Sequence, residues 1–454
     1  MTAANALEVG SGFVVATGLE CSAPLVGGGL RQDELRKTGH WDRYEEDFAL
    51  IAGMGVRFVR YGIPFHAVDA GAGPFDWDWT DRALQALRGA GLEPIADLLH
   101  FGIPQDLAGV GDRRLPERFE RYAAAFAERY PWVRYYTTVN EPLVCAVGSA
   151  GLGWWNERRR DDGSLVAAID ALCASVVLGS DRIRERRPDA IFIQSDACEV
   201  YLPATPEAAE RVAFLNERRF VAFDLVYGRT PASRALAWLE RNGMTDARLS
   251  WFGRRGSAEG CIAGLDYYRG NEWSVAADGG ARPARRRLGF ARLARQYHAH
   301  LQMPFMLSET NVEGPTVQRW LAETWDDALA LRGDGLPIRG YCWYGFIDHI
   351  DWDSGLRRNR GRVNHCGLAG LDRSSTRSAN PMGASPAPRP GGSWSRSAAA
   401  PACGTGARRA GWPHDHHARR LPAGRPARRD PGRPGARART GTGARAHEGV
   451  VHLR

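Results

Sequence analysis

Two glutamates stand at the ends of apolar runs in this sequence, where a buried strand would give way to a turn. Glu141 follows "YYTTVN", and Glu309 closes "PFMLSE". Two carboxyl groups at different strand ends suit glycoside hydrolysis, in which one protonates the leaving oxygen and the other attacks the anomeric carbon. Either glutamate could instead be an acid favoured by a helix N-terminus. The Asn140 and Pro142 that flank Glu141 favour the catalytic interpretation.

The elements that would position these glutamates repeat along the chain. Eight short apolar runs rich in β-formers begin at residues 12, 56, 93, 134, 190, 261, 304 and 338. Segments with apolar residues at helical spacing begin at 44, 79, 116 and 164. Strands that alternate with helices pair in parallel, and eight such units predict an α/β fold of the (β/α)₈ TIM barrel type. A doubly wound open sheet is disfavoured because no GxGxxG follows the first strand.

A barrel of this kind carries its active site at the carboxyl ends of its strands. Polar and aromatic residues recur at those positions, so we expect them to face one mouth. They are Glu20, Arg60, His100, Asn140, Glu141, Asp196, Tyr267, Tyr268, Glu309, Trp343 and Tyr344.

An ordered set of motifs resembles glycoside hydrolase family 1, a family of retaining β-glucosidase-like barrels. "TTVNEP" resembles the family's acid/base motif and "MLSETN" its nucleophile motif. The other similar stretches, in chain order, are "GVRFVRYGIPF", "DLLHFGIPQDL", "GLDYY", "RGYCWYGFIDHIDWDSG" and "HCGLAGLD". The resemblance covers roughly residues 12 to 373.

The resemblance implies a role for each catalytic glutamate. Glu141 would be the general acid/base, and Glu309 would be the nucleophile that forms a covalent glycosyl-enzyme. Hydrolysis would retain the anomeric configuration, and the two carboxyl groups would lie about 5 to 5.5 Å apart. Arg60 would keep Glu309 ionised and Tyr268 would orient it. The family requires no metal or cofactor.

The resemblance also implies a ring of substrate-binding residues. Asn140 would bind the sugar 2-hydroxyl and His100 the 3-hydroxyl. The full ring is His100, Asn140, Arg60, Tyr268, Trp343, Tyr344, Asp351 and Trp352. Three positions depart from the family, and Asp353 and the region of His349 are also unlike the family pattern. Glu20 and Ser22 are the candidates for the place of the family's strand 1 Gln. Tyr344 takes the place of a Trp, and Asp351 the place of a hydroxyl-binding Glu.

The last 80 residues differ from the rest of the chain. Residues 375–454 hold 15 Arg, no Lys and three acids, a net charge of +12, whereas residues 1–374 have 45 basic and 49 acidic residues. A segment dominated by Ala, Arg, Gly and Pro cannot bury enough apolar surface to fold, so we predict a barrel over 1–374 and a disordered tail over 375–454. The abrupt change in amino-acid composition at the start of the tail is also what translation in a shifted reading frame would produce. It lacks aromatic interleaving, so we expect no nucleic-acid partner, and we interpret "HDHH" at 414–417 as incidental.

Three functions suit these residues. The first is a retaining β-glycosidase acting on small carbohydrate substrates. The second is a non-catalytic carbohydrate-binding barrel or a module of a sugar-modifying enzyme. A metal-dependent barrel hydrolase is disfavoured because no HxH or HExxH follows a strand. The sugar, the aglycone, the linkage and the oligomeric state stay open.

The remaining features concern the compartment. Eight cysteines are scattered singly, which favours buried thiols in a reducing cytoplasm. No uninterrupted run of about 18 apolar residues and no basic leader is present, so we expect a soluble, unexported protein without a membrane partner.

Overall fold

The eight predicted strands close into one parallel barrel. The computed structural model describes residues 12–71, 73–373 and 451–452. The barrel strands are β1 (Val14–Gly18), β2 (Phe58–Gly62), β3 (Glu93–Asp97), β4 (Tyr135–Thr137), β5 (Ile191–Ala197), β6 (Cys261–Asp266), β7 (Phe305–Glu309) and β8 (Ile338–Tyr344). Each strand pairs with its sequence neighbours, and β1 closes the ring against β8 with Gly18 opposite Tyr344.

Helices surround this barrel. The α-helices are Glu34–Lys37, His40–Gly53, Phe65–Val68, Asp78–Gly89, Leu115–Arg129, Pro142–Ala146, Asp162–Arg186, Ala209–Arg218, Val221–Val226, Ser233–Arg241, Asp246–Arg255, Phe290–Leu301 and Val317–Gly333. Short 3₁₀ turns lie at Gly27–Gly29, Pro206–Ala208 and Trp352–Ser354, and a π-helical turn spans Val147–Gly151. The predicted (β/α)₈ barrel is confirmed.

The longest helix, Asp162–Arg186, packs along Leu115–Arg129. Asp161 caps its N-terminus by accepting a hydrogen bond from the Ser164 amide at 2.7 Å. It is the one helix in the described ranges long and apolar enough to cross a membrane, and 72% of its most apolar window is buried in the fold. That burial is typical of the core helix of a barrel.

Alternation along the strands divides the core in two. One set of side chains fills the barrel interior, and a larger set packs between strands and helices. The interior set is Val14, Ala16, Phe58, Ile95, Tyr135, Ile191, Ile193, Ile262, Met306, Cys342 and Tyr344. Side chains two residues apart on a strand face the same side. Arg60 on β2, Asp97 on β3 and Ser308 on β7 each lie two residues after an inward-facing apolar residue, so they also face the barrel interior. The carboxyl end of the barrel interior is therefore polar.

Smaller sheets lie outside the barrel. One comprises Val200–Pro203, Glu272–Val275, Gly280–Pro283 and Val451–His452. The other pairs His349–Ile350 with Val363–Asn364 and anchors the chain that follows β8. The predicted disordered tail, 375–454, lies outside the described residues except for 451–452, so that prediction stays a prediction.

Candidate active site

Arg60 is the centre of a buried hydrogen-bond network at the carboxyl end of the barrel. Its guanidinium donates to Oε1 of Glu309 and to Oδ1 of Asn140, to Oδ2 of Asp97 at 3.1 Å and to Oγ of Ser195 at 3.0 Å. Burial alone would lower the pKa of Arg60, but the carboxylates of Glu309 and Asp97 raise it well above its ordinary value. Arg60 is therefore a permanent cation beside Glu309.

Glu309 closes β7 and is held at both carboxyl oxygens. Arg60 contacts Oε1, and the hydroxyl of Tyr268 donates to Oε2 at 2.7 Å. Burial raises the pKa of Glu309, while Arg60 and the Tyr268 hydrogen bond act against that rise by favouring the carboxylate. The network thus prepares Glu309 to carry a negative charge.

Glu141 has the opposite environment. It follows β4, is 8% exposed, and has the left-handed backbone angles φ 41° and ψ 63° immediately before the helix Pro142–Ala146. That conformation is unfavourable for a residue with a Cβ and is often found at functional sites. Burial raises the pKa of Glu141 well above its ordinary value, and the carboxyl groups of Asp266 and Glu309 raise it further when they are ionised. Glu141 is therefore the carboxyl group that keeps its proton.

Asn140 and His100 are fixed by the same network. The Oδ1 atom of Asn140 accepts from Arg60 and from the Ser195 hydroxyl, so its Nδ2 is the atom that faces His100. His100 Nε2 accepts from this Nδ2 at 2.9 Å, and Nδ1 donates to Asp97 at 2.9 Å. These bonds place a proton on Nδ1 of His100. Burial alone would lower the pKa of His100, but its acidic neighbours Cys21 and Asp97 raise it well above its ordinary value.

The two tyrosines that directly follow β6, Tyr267 and Tyr268, face opposite ways. Tyr268 reaches Glu309, as the resemblance implied. Tyr267 points into the helical layer, donates to Oε1 of Glu272 at 2.7 Å and stacks on Trp320.

Strand β8 divides its aromatic pair in the same way. Tyr344 points inward, stacks with His100 at 5.9 Å between ring centroids and lies under the Arg60 guanidinium. The structure does not bring Trp343 to the mouth. Its indole belongs to the outer core and donates to the Cys366 carbonyl at 3.1 Å, because neighbouring residues of a strand face opposite sides.

Asp351 and Trp352 follow β8 in a short turn. Asp351 is fully buried, and its carboxylate accepts backbone N–H bonds from Arg360, Gly361 and Arg362 at 3.0 to 3.2 Å and a bond from Lys37. It anchors a loop instead of facing the mouth. Trp352 is half-buried, and its ring lies 6.4 Å from that of His349.

Two acids at strand ends have supporting positions. Asp196, predicted at the mouth, accepts the amide of Leu143 at 2.9 Å and thereby supports the segment that carries Glu141. Burial raises the pKa of Asp196 to about 7. Asp97 was missed from the sequence, although its inward phase, two residues beyond Ile95, could have indicated it.

One cluster has the residue types of a metal site. The donor atoms of Cys21, Asp97 and His100 all lie within 4.8 Å of one another. Both ring nitrogens of His100 are engaged with Asp97 and Asn140, so the cluster is better explained as part of the Arg60 network.

The comparison with known proteins matches the part of the chain that carries several of these site residues. Residues 34–228, which carry Arg60, His100, Asn140 and Glu141, match the family model "Glycosyl hydrolase family 1". The chain is a relative of this family. The predicted resemblance and the predicted enzyme class, a glycoside hydrolase, are confirmed.

β-Glucosidases and phospho-β-glycosidases are among the relatives of this chain. Thermostable β-glucosidase B of Thermobispora bispora is 36% identical over 115 residues, 24% of each chain. The β-glucosidase of Agrobacterium sp. is 25% identical over 378 residues, 72% of this chain and 79% of the relative. Aryl-phospho-β-D-glucosidase BglC of Bacillus subtilis is 22% identical over 399 residues, 71% of this chain and 80% of the relative.

Solved structures extend the likeness in fold to the half that carries Glu309. The β-glucosidase of Thermotoga maritima in complex with noeuromycin superposes with a TM-score of 0.69 at 18% identity, covering 82% of this chain and 96% of that one. The family 1 β-glucosidase from the same organism gives 0.67 at 18% identity, with 79% and 93% covered.

Proposed function

We propose that this chain is a retaining β-glycosidase that hydrolyses small β-glycosides by double displacement. The observation that carries the proposal is the asymmetry between the two glutamates. Arg60 and Tyr268 hold both oxygens of Glu309, whereas burial and the neighbouring carboxyl groups keep the proton of Glu141 bound. Retaining glycosidases need such a pair, one carboxylate and one carboxylic acid, at the same pH.

Each residue then has a defined task. The Glu309 carboxylate attacks the anomeric carbon as the glycosidic bond breaks, and Glu141 gives its proton to the leaving oxygen. Glu141, now ionised, takes a proton from water, which attacks the same carbon and releases Glu309. Nδ2 of Asn140 has a second hydrogen to offer to a sugar hydroxyl, and Tyr344 offers a ring face.

A non-catalytic carbohydrate-binding barrel is the second candidate. It is favoured by the altered ring, since Asp351 is committed to a loop and Trp343 to the outer core. The intact Arg60–Glu309–Tyr268 arrangement favours catalysis, because sugar binding alone does not require a nucleophile held at both oxygens.

The proposal includes a cytoplasmic, reducing setting and a mechanism without a metal or cofactor. All seven cysteines among the described residues are free thiols, which suits a reducing compartment.

The test uses the full chain and nitrophenyl β-glycosides of several sugars. A β-glucoside 6-phosphate belongs in the panel, because one relative is named an aryl-phospho-β-D-glucosidase. We expect hydrolysis of at least one substrate, with the β-anomer of the free sugar appearing first by NMR, and no hydrolysis by Glu309→Gln. A wild-type chain that binds sugars but hydrolyses none of the panel would support the binding barrel instead.

A further inference from the structure

A third buried carboxyl group, Asp266, lies in the floor of the site and has no task in the mechanism above. It is the last residue of β6 and is fully buried. The strand register sets it opposite Glu309 on β7 and opposite Ala197 on β5. Alternation with Ile262 and Gly264 turns its side chain into the barrel interior.

The packing around Asp266 leaves its carboxyl group few partners. A Cβ on Gly264, one inward position below, would lie 2.6 Å from Ser308 Oγ and 2.7 Å from Ser195 Cβ, so the layer beneath is closed. The Ser308 hydroxyl donates to Oδ1 of Asp266 at 2.6 Å. Its Oδ2 atom has no hydrogen-bond partner among the residues that the structure describes.

The ionisable groups that face Asp266 are mostly carboxyl groups. Glu309 on β7, Asp196 on β5 and Glu141 after β4 are carboxyl groups, and Arg60 on β2 is the cation. Among the described residues, the guanidinium of Arg60 donates to Glu309, Asp97, Asn140 and Ser195 and not to Asp266. A buried carboxylate without a direct cationic partner is costly, so the neutral form of Asp266 is favoured.

We propose that Asp266 is a positioning residue for the proton of Glu141: once ionised, its carboxylate opposes the ionisation of Glu141 and so extends the alkaline range in which Glu141 remains an acid. This inference rests on the proposed glycosidase function. Burial raises the pKa of Asp266 well above its ordinary value and the charge of Glu309 adds to the rise, which agrees with the geometry.

The direction of the effect follows from the sequence of proton losses. In mildly acidic solution Asp266 is neutral and adds no charge beside Glu309. As the pH rises, Asp266 loses its proton first. The negative charge on Asp266 then raises the pKa of Glu141, so Glu141 keeps its proton to higher pH. Groups coupled in this way titrate as a pair in two steps. A single carboxyl group at Glu141 would lose its proton in one step at lower pH.

The test is the pH profile of kcat/KM for the full-length wild type and Asp266→Asn. The asparagine keeps the shape of the side chain and cannot ionise. We expect the basic limb, which reports the acid in the free enzyme, to move to lower pH by about one unit. The acidic limb, which reports Glu309, should stay in place because Asp266 is already neutral there. The test compares the pH at which each limb falls, and a change in the maximum value of kcat/KM is not used.

Each other outcome has its own meaning. Two unmoved limbs would overturn the inference and leave Asp266 a structural residue. Two limbs that move down together would also overturn it, because Asp266 would then be ionised throughout. Asp266→Ser gives the same comparison if Asp266→Asn does not fold, and Asp266→Glu should restore the basic limb. An inert wild type would instead overturn the proposed function, and the inference would fail with it.

Discussion

The guanidinium of Arg60 joins Glu309 to the rest of the strand-end network. Glu309 ends β7 and Arg60 is the third residue of β2, so a single hydrogen bond connects elements 249 residues apart in sequence. The same side chain reaches Asp97, Asn140 and Ser195. The position and the charge of the nucleophile therefore depend on one arginine.

Arg60→Lys should damage both stability and activity. A lysine keeps the charge but cannot serve several acceptors in a planar fork. We expect a loss of about 3 kcal/mol of unfolding free energy, because buried carboxylates lose partners, and a fall in kcat/KM of about 100-fold or more from misplacement of Glu309. Denaturant unfolding and steady-state kinetics measure the two effects.

Arg57→Lys is the matched control. Arg57 lies three residues earlier, is exposed, and pairs with Glu93 at 3.0 Å. A surface pair of this kind contributes no more than about 1 kcal/mol. Equal effects of the two substitutions would contradict a special position for Arg60.

Tyr268→Phe should shift the acidic limb of kcat/KM upward. The substitution removes the 2.7 Å hydrogen bond that stabilises the Glu309 carboxylate, and a bond to a charged group contributes about 1.5 to 3 kcal/mol. The pKa of Glu309 should therefore rise by about one unit or more. Tyr267→Phe is the control, because Tyr267 bonds to Glu272 in the helical layer. An acidic limb that stays in place in Tyr268→Phe, or moves equally in both variants, would refute the assignment.

The sequence could predict most of this site because its residues stand at the ends of clear apolar runs. Glu141, Glu309 and Arg60 were found in this way, whereas Tyr268 was chosen over Tyr267 only through the family resemblance. Asp97 and Asp266 were missed because their importance depends on which face of the strand points into the barrel. The alternation of residue types along one strand does not show which of its two faces that is. One residue of known orientation, such as Ile95 for β3, would have supplied it.

The aromatic pair and the turn after β8 show the same limit. Trp343 and Tyr344 are both large and apolar, and only the register with Thr17 and Gly18 decides which of them faces the barrel interior. The carboxylate of Asp351 accepts hydrogen bonds from backbone amides nine to eleven residues later in the chain. A loop that folds back in this way leaves no periodic signal in the sequence.

Glu34 should make the protein less stable as the pH rises. Its carboxyl group is fully buried, accepts the Ile350 amide at 2.9 Å and lies 3.1 Å from Lys37. Burial, with the nearby charge of Glu20, raises the pKa of Glu34 to about 8. Because the folded pKa is above the unfolded one, the stabilising contribution is fully present below about pH 4.5 and is lost as the pH rises through about 8.

Glu34→Gln tests that pH dependence. The unfolding free energy of the variant relative to wild type should increase between pH 5 and pH 9, by on the order of a few kcal/mol. Denaturant titrations at several pH values measure it, with Glu45→Gln on the exposed side of the next helix as the control. A difference that does not change with pH would show that Glu34 is ionised in the folded protein throughout this range.

Asp351→Asn should loosen the loop that Asp351 anchors. An amide nitrogen in place of one carboxylate oxygen would face either the N–H group of Arg362, which donates to Oδ1, or those of Arg360 and Gly361, which donate to Oδ2. We expect faster tryptic cleavage at the exposed arginines of 357–362, followed by mass spectrometry, than in Asp353→Asn, which loses side-chain bonds alone. If Asp351→Asn is cleaved at the unchanged rate but has a raised KM, the result would support the direct sugar-binding role of Asp351 that the sequence predicted.

The most direct test of the central claim is the configuration of the product when azide rescues Glu309→Ala and Glu141→Ala. Both variants are given a β-glycoside with a good leaving group that the wild type hydrolyses. If Glu309 is the nucleophile and Glu141 the acid/base, azide should yield an inverted glycosyl azide with Glu309→Ala and a retained one with Glu141→Ala. Wild-type-like hydrolysis by either variant, or the same azide configuration from both, would contradict the assignment of the two glutamates.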